Sequence, residues 1–107
     1  EDHLQVDLAN PEDTRRAAEE TRRRLEAEGG CLHALVNNAG ISPKGPGGRR
    51  LGALDTPFED WLRVFQVNFF GTILLAQGLR EELIRAKGSV VNVTSIAGSR
   101  VHPFAGA

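Results

Sequence analysis

A chain of 107 residues with 40% hydrophobic and 25% charged side chains has the makeup of one globular domain and is too short for two. Its net charge of −1 argues against a general nucleic-acid or membrane-surface role, and no run approaches the roughly 18 apolar residues of a membrane span. The single cysteine, Cys31, excludes an internal disulfide framework and suits a reducing compartment, so a cytoplasmic location is expected. The polar opening Glu1-Asp2-His3 does not read as a signal peptide.

In chain order, His3 to Leu8 (HLQVDL) alternates loosely and predicts a short strand ending at Asp7. Asn10-Pro11-Glu12-Asp13 is a helix start: Asn as N-cap, Pro at the first helical position, acids in the first turn. That helix is predicted to run to about Glu28, where Gly29-Gly30 stops it. Ala17, Ala18, Thr21 and Leu25 give it a narrow apolar stripe. Glu19 and Glu20 stand four residues before Arg23 and Arg24, so the arginines read as a solvated, ion-paired face rather than an anion patch.

Leu32 to Val36 predicts a second strand, apolar enough for burial on both faces. Ile41 to Thr56, rich in Gly and Pro, is a loop of a length that marks either function or mobility. Thr56 is the expected N-cap of the next helix, with Pro57 in its first position. Phe58, Trp61, Leu62, Phe65, Phe69, Ile73, Ala76 and Leu83 keep the helical period as far as Ala86. Gly71 and Gly78 interrupt it, and a bend is expected between Asn68 and Gly71. Lys87-Gly88 ends the helix. Val90, Val91 and Val93 predict a third strand closing at Thr94-Ser95, with loop from Ile96 onward.

Strand, long helix, strand is a βαβ unit, and such units put their chemistry at the carboxyl ends of the strands. Asn37, Asn38, Asn68 and Ser95 are therefore expected to converge on one crevice. Each also has a plain structural reading. Asn37-Asn38-Ala39-Gly40 is either a backbone-bonded turn or a place where small residues admit a ligand. Ser95 either satisfies a strand end or donates to a substrate oxygen. Asn68, an indifferent helix former in an apolar run, is either a structural cap or a site residue. Asp7 either caps the Asn10 turn or accepts from a ligand. His3, His33 and His102 make no metal-ligand spacing with Cys31, so no metal site is expected.

Taken together, VDL (Val6 to Leu8), LVNNAG (Leu35 to Gly40), VNFFG (Val67 to Gly71) and VVNVTSIAG (Val90 to Gly98) resemble the short-chain dehydrogenase/reductase family, in its order and spacing, over essentially the whole chain. The resemblance implies an α/β fold with a three-layer, doubly wound parallel sheet of Rossmann type. Residues 1–107 would be part of a single NAD(P)-binding domain and carry strands three to five. In the family's sheet order His3 to Leu8 stands apart from Leu32 to Val36, while the second and third strands here are adjacent.

The implied activity is hydride transfer between NAD or NADP and a small alcohol or carbonyl substrate, with no nucleic-acid or membrane partner. Asp7 and Leu8 match the pair at the cofactor's adenine. Asn37, Asn38, Ala39 and Gly40 match the segment that supports the sheet and borders the adenosine ribose. Asn68 matches the helix asparagine that helps hold a proton-relay water, and Ser95 the catalytic serine. Ile96, Ala97 and His102 are candidates to line the substrate pocket. The family's G-x-x-x-G-x-G and Y-x-x-x-K do not occur in these residues; its spacing puts the tyrosine at position 108. These 107 residues are thus expected to be the inactive central piece of an enzyme, with a catalytically inactive binding module as the alternative. Surplus apolar residues on the long helix (Phe70, Leu74, Leu75, Leu79 and Ile84) and the family's habit imply a homodimer or homotetramer.

Overall fold

The first helix starts where its cap dictates. In the computed structural model, which describes residues 3–100, Asn10 Oδ1 accepts from the backbone N–H of Glu12 and of Asp13 at 2.9 and 3.2 Å. Pro11 takes the first helical position and α1 runs Pro11–Ala27. Gly29, at φ 63°, supplies the left-handed turn after it. The ion pairs found among the described residues all lie on α1, with Glu20 rather than Glu19 serving both Arg23 and Arg24.

Two parallel strands follow, β1 (Ala34–Asn37) and β2 (Ser89–Asn92), in the register Ala34↔Ser89, Leu35↔Val90, Val36↔Val91 and Asn37↔Asn92. Gly88 leads into β2 because nothing larger fits: a Cβ there would stand 2.5 Å from the Leu32 carbonyl oxygen. The crossover between the strands is helical. It comprises α2 (Phe58–Phe65), one π-turn (Gln66–Phe70), α3 (Gly71–Gly78) and α4 (Arg80–Ala86). A 62° bend separates α3 from α4. Lys87, at φ 52°, closes α4.

The core is where α1, the crossover helices and β1 meet. Ala18, Leu79 and Leu83 are buried, with Leu32, Leu35 and Leu75 packed on them. Helices α1 and α3 approach closely because both present small residues: a Cβ on Gly78 would lie 2.6 Å from that of Ala18. No single helix among the described residues is long and apolar enough to cross a membrane.

Several expectations are corrected. His3 to Leu8 forms no strand; as the resemblance implies, it stands apart from β1, which among the described residues pairs with β2 alone. A strand exists only through its partner's hydrogen bonds. Here the segment's carbonyls instead accept from side chains, Gln5 from Arg16 at 3.1 Å and His3 from Arg24 at 3.3 Å. Neither strand is buried on both faces. Val36 is 57% exposed and all of β2 is exposed, because the described helices cover only the Leu35 side. Thr56 does not cap α2. Its hydroxyl donates to the Gly52 carbonyl, and Pro57 at ψ 147° is still extended, so the helix starts at Phe58. The loop 41–56 is folded on itself, with a Lys44↔Arg50 bridge and a tight turn at Pro46–Gly48. The surplus apolar surface is real but only partly where expected: Phe70 and Ile84 are exposed, Leu74 and Leu75 are half-buried and Leu79 is buried, while a further exposed stripe runs through Phe58, Leu62, Phe65, Phe69 and Ile73. His102 lies outside the described residues.

Candidate active site

The register of β1 and β2 brings their carboxyl ends level. Asn37 pairs with Asn92, and the Asn37 side-chain amide donates to Asn92 Oδ1 at 2.9 Å. The Val93 N–H donates to the Asn37 carbonyl at 3.0 Å, which carries the pairing one residue further. Asn37 is buried and spent on this contact, while Asn38, Ala39 and Gly40 are exposed beyond it. Asn92 was not singled out from sequence. Its signal was its position, a polar residue in a valine run that falls opposite Asn37 once the strands align.

Asn68 reaches back to the same edge from the crossover. Its Oδ1 accepts from the Ile41 N–H and its Nδ2 donates to the Ile41 carbonyl, both at 2.8 Å. One side chain thus satisfies both backbone groups of the residue after Gly40. Asn68 is exposed, and the regular helix bonding is interrupted around it, but the bend expected between Asn68 and Gly71 falls instead after Gly78. Gln66–Phe70 adopts a π-turn, in which the Gly71 N–H donates to Gln66 instead of to Val67. Such turns loosen the regular ladder and recur at functional sites.

Leu8, next to Asp7, meets the other side of this turn. Gln66 Nε2 lies 3.5 Å from the Leu8 carbonyl oxygen, and a Cβ on Gly71 would stand 3.9 Å from it. Asp7 caps its own turn: Oδ1 accepts from Ala9 at 3.0 Å and its carbonyl from Asn10. The Asp7 N–H donates to Asp13 Oδ2 at 2.6 Å. The Arg16 guanidinium, and then this N–H, hold the Asp13 carboxyl below its ordinary range.

Ser95 stands three residues past β2, where the chain turns into a short 3-10 segment, Ile96–Gly98. Its Oγ accepts from the Ala97 N–H at 3.2 Å. A hydroxyl that accepts one bond retains a proton to donate. Ser95 makes no hydrogen bond to Asn68 or Asn37; the three share an edge of the sheet rather than a network. No cluster of His, Cys, Asp or Glu that could hold a metal occurs among the described residues.

A family model described as short chain dehydrogenase matches residues 2–107. The chain is 58% identical over 106 residues to Protein FixR of Bradyrhizobium diazoefficiens, covering 99% of this chain and 37% of that protein. It is 37% identical over 93 residues to the NADPH-dependent 1-acyldihydroxyacetone phosphate reductase of Schizosaccharomyces pombe, covering 87% of this chain and 28% of that protein. Among solved structures, an oxidoreductase of the short chain dehydrogenase/reductase family from Brucella ovis, in complex with a partially ordered NAD, superposes with a TM-score of 0.91 at 67% identity. That match covers 98% of this chain and 47% of the other. The chain therefore spans about a third to a half of these proteins. With the strand register, the Asn68 clamp and the family model agreeing over nearly its whole length, the chain belongs to the short-chain dehydrogenase/reductase family.

Proposed function

We propose that these 107 residues are the central part of an NAD(P)-dependent oxidoreductase that moves hydride between the nicotinamide and an alcohol or carbonyl substrate. The observation that carries the reading is the parallel β1–β2 register, which brings the segments Asn37–Gly40 and Val93–Ser95 to one carboxyl edge. Open α/β sheets bind their ligands at such edges. The Brucella ovis neighbour, which holds NAD, and the NADPH-dependent yeast reductase support the cofactor class.

The residues fit a dinucleotide. Ala39 and Gly40 are small and exposed, so a ligand can approach the backbone closely. Asp7 Oδ2 has no partner among the described residues, which leaves an acceptor suited to the adenine amino group. When bound, the nicotinamide supplies or takes up the hydride. Ser95, whose proton has no acceptor among the described residues, is suited to donate to the substrate oxygen as that oxygen gains charge. Asn68 is a positioning residue: with both side-chain groups tied to Ile41, its part in holding a relay water falls to the backbone of the loosened π-turn. The exposed stripe from Phe58 to Ile73 supports assembly of the whole protein into a homodimer or homotetramer, and the free Cys31 supports a reducing, cytoplasmic setting.

The test is Ser95→Ala in the whole protein. Losing one preorganised donor lowers turnover by a factor on the order of 10²–10³. Ser95→Asp keeps a cap acceptor for Ala97 but has no proton to give when ionised, so it is expected to be equally slow. If both variants turned over like wild type, the assignment of Ser95 would be wrong.

A further inference from the structure

Beside the Asn68–Ile41 clamp lies a cavity of about 250 Å³, between the loop after β1 and helix α2. Ile41, Pro43 and Val64 form its apolar wall, and Ser42, Lys44, Asp60 and Arg63 complete the lining. The charged residues come from two elements: Lys44 from the loop, Asp60 and Arg63 from α2. They do not neutralise one another, since the ion pairs among the described residues all lie on α1. The loop's position is fixed on both sides. Asn68 grips Ile41 at one end, and the Lys44↔Arg50 bridge, with Gly45 N–H donating to Arg49 at 2.7 Å, folds the arm that carries Lys44. Two cations facing one carboxylate leave the lining one positive charge in excess.

We infer that this cavity is a subsite for the carboxylate of a small organic acid, which makes the substrate of the proposed oxidoreductase a monoanion; this rests on the reading above. The volume lies below the roughly 300–1,000 Å³ of sites for drug-sized ligands, and so suits a few carbons rather than a nucleotide. Arg63 and Lys44 supply charge-assisted donors to carboxylate oxygens. Asp60 accepts from a hydroxyl and repels a second negative charge, which disfavours a dianionic phosphate. Ile41 and Val64 take the carbon skeleton.

The experiment uses the whole protein and calorimetric titration with lactate, with propylene glycol as its uncharged counterpart on the same carbon skeleton, and with inorganic phosphate. Lactate is expected to bind at least tenfold tighter than either of the others. Lys44→Gln and Arg63→Gln are each expected to weaken lactate about tenfold, and Asp60→Asn to strengthen it. Both cations are exposed, so these changes leave the core intact. Equal affinity for lactate and the diol, no lactate binding, tighter binding of phosphate, or indifference to both cation substitutions would overturn the subsite. NADH and NADPH titrations of the same variants keep the two readings apart. Nucleotide binding without lactate selection sinks the subsite alone; lactate selection in a wild type that binds neither nucleotide sinks the oxidoreductase reading, and with it the claim that the bound acid is a substrate, while leaving the carboxylate site.

Discussion

At the residue scale, the polar side chains of this edge do structural work first. Asn37 ties β1 to β2, Asn68 ties the crossover to Ile41, and Ser95 caps a turn. Under the proposed function, the capacity left over among the described residues is the Ser95 proton, one Asp7 oxygen and the backbone at Ala39–Gly40. Asp13 illustrates how such local bonding sets stability. Its bonds from Arg16 and from the Asp7 N–H favour the ionised form, so its folded pKa is depressed. The stabilisation is therefore fully present above the unfolded value of about 4 and is lost as pH falls through the folded one. Asp13→Asn removes it. In the whole protein, wild type and variant are expected to differ in melting temperature at neutral pH and to converge in acid; a gap that stayed constant into acid would contradict the assignment. Asn68 was legible as a break in a helix because asparagine between apolar residues is costly there. Its partner was not legible, because Ile41 lies 27 residues away in sequence.

At the element scale, the two long helices and the two paired strands follow from caps, periodicity and valine runs. What sequence reading misplaced was partnership. The HLQVDL segment has the alternation of a strand, but alternation does not supply a neighbour. Likewise, the aromatic stripe from Phe58 to Ile73 has core-like spacing yet faces outward, while Val64, Val67 and Leu83 are buried. Spacing marks a face without saying what covers it. Gly78, which reads as a helix interruption, is a contact residue. Gly78→Ala gains up to about 1 kcal/mol of helix propensity. It also forces two Cβ atoms anchored on backbone to within 2.6 Å, so α1 and α3 must part. Overpacking of this kind costs about 1–3 kcal/mol and wins. In the whole protein the variant is expected to lower the melting temperature, and Ala18→Gly on top of it to restore most of the loss; if Gly78→Ala alone were stabilising, the close helix contact would be wrong.

At the scale of the whole molecule, the described residues are extended. The radius of gyration is 16.2 Å, against about 13 Å for a compact domain of 100 residues. The buried core is small, and both strands leave apolar side chains open, including Val36, Val90 and Val91. Net stability is only about 5–15 kcal/mol even for complete domains. The 107 residues expressed alone are therefore expected to lack a cooperative thermal transition and to bind no nucleotide. The whole protein is expected to fold and to bind one, since the rest of the family's sheet supplies the partners that HLQVDL and the strand faces need. The central claim is that this edge belongs to a nicotinamide-dependent oxidoreductase. It is tested most directly by titrating the whole protein into NADH and into NADPH and following the nicotinamide fluorescence. A saturable change with at least one of the two, absent with the isolated 107 residues, is the expected result; a whole, folded protein that leaves both nucleotides unaffected would contradict the claim.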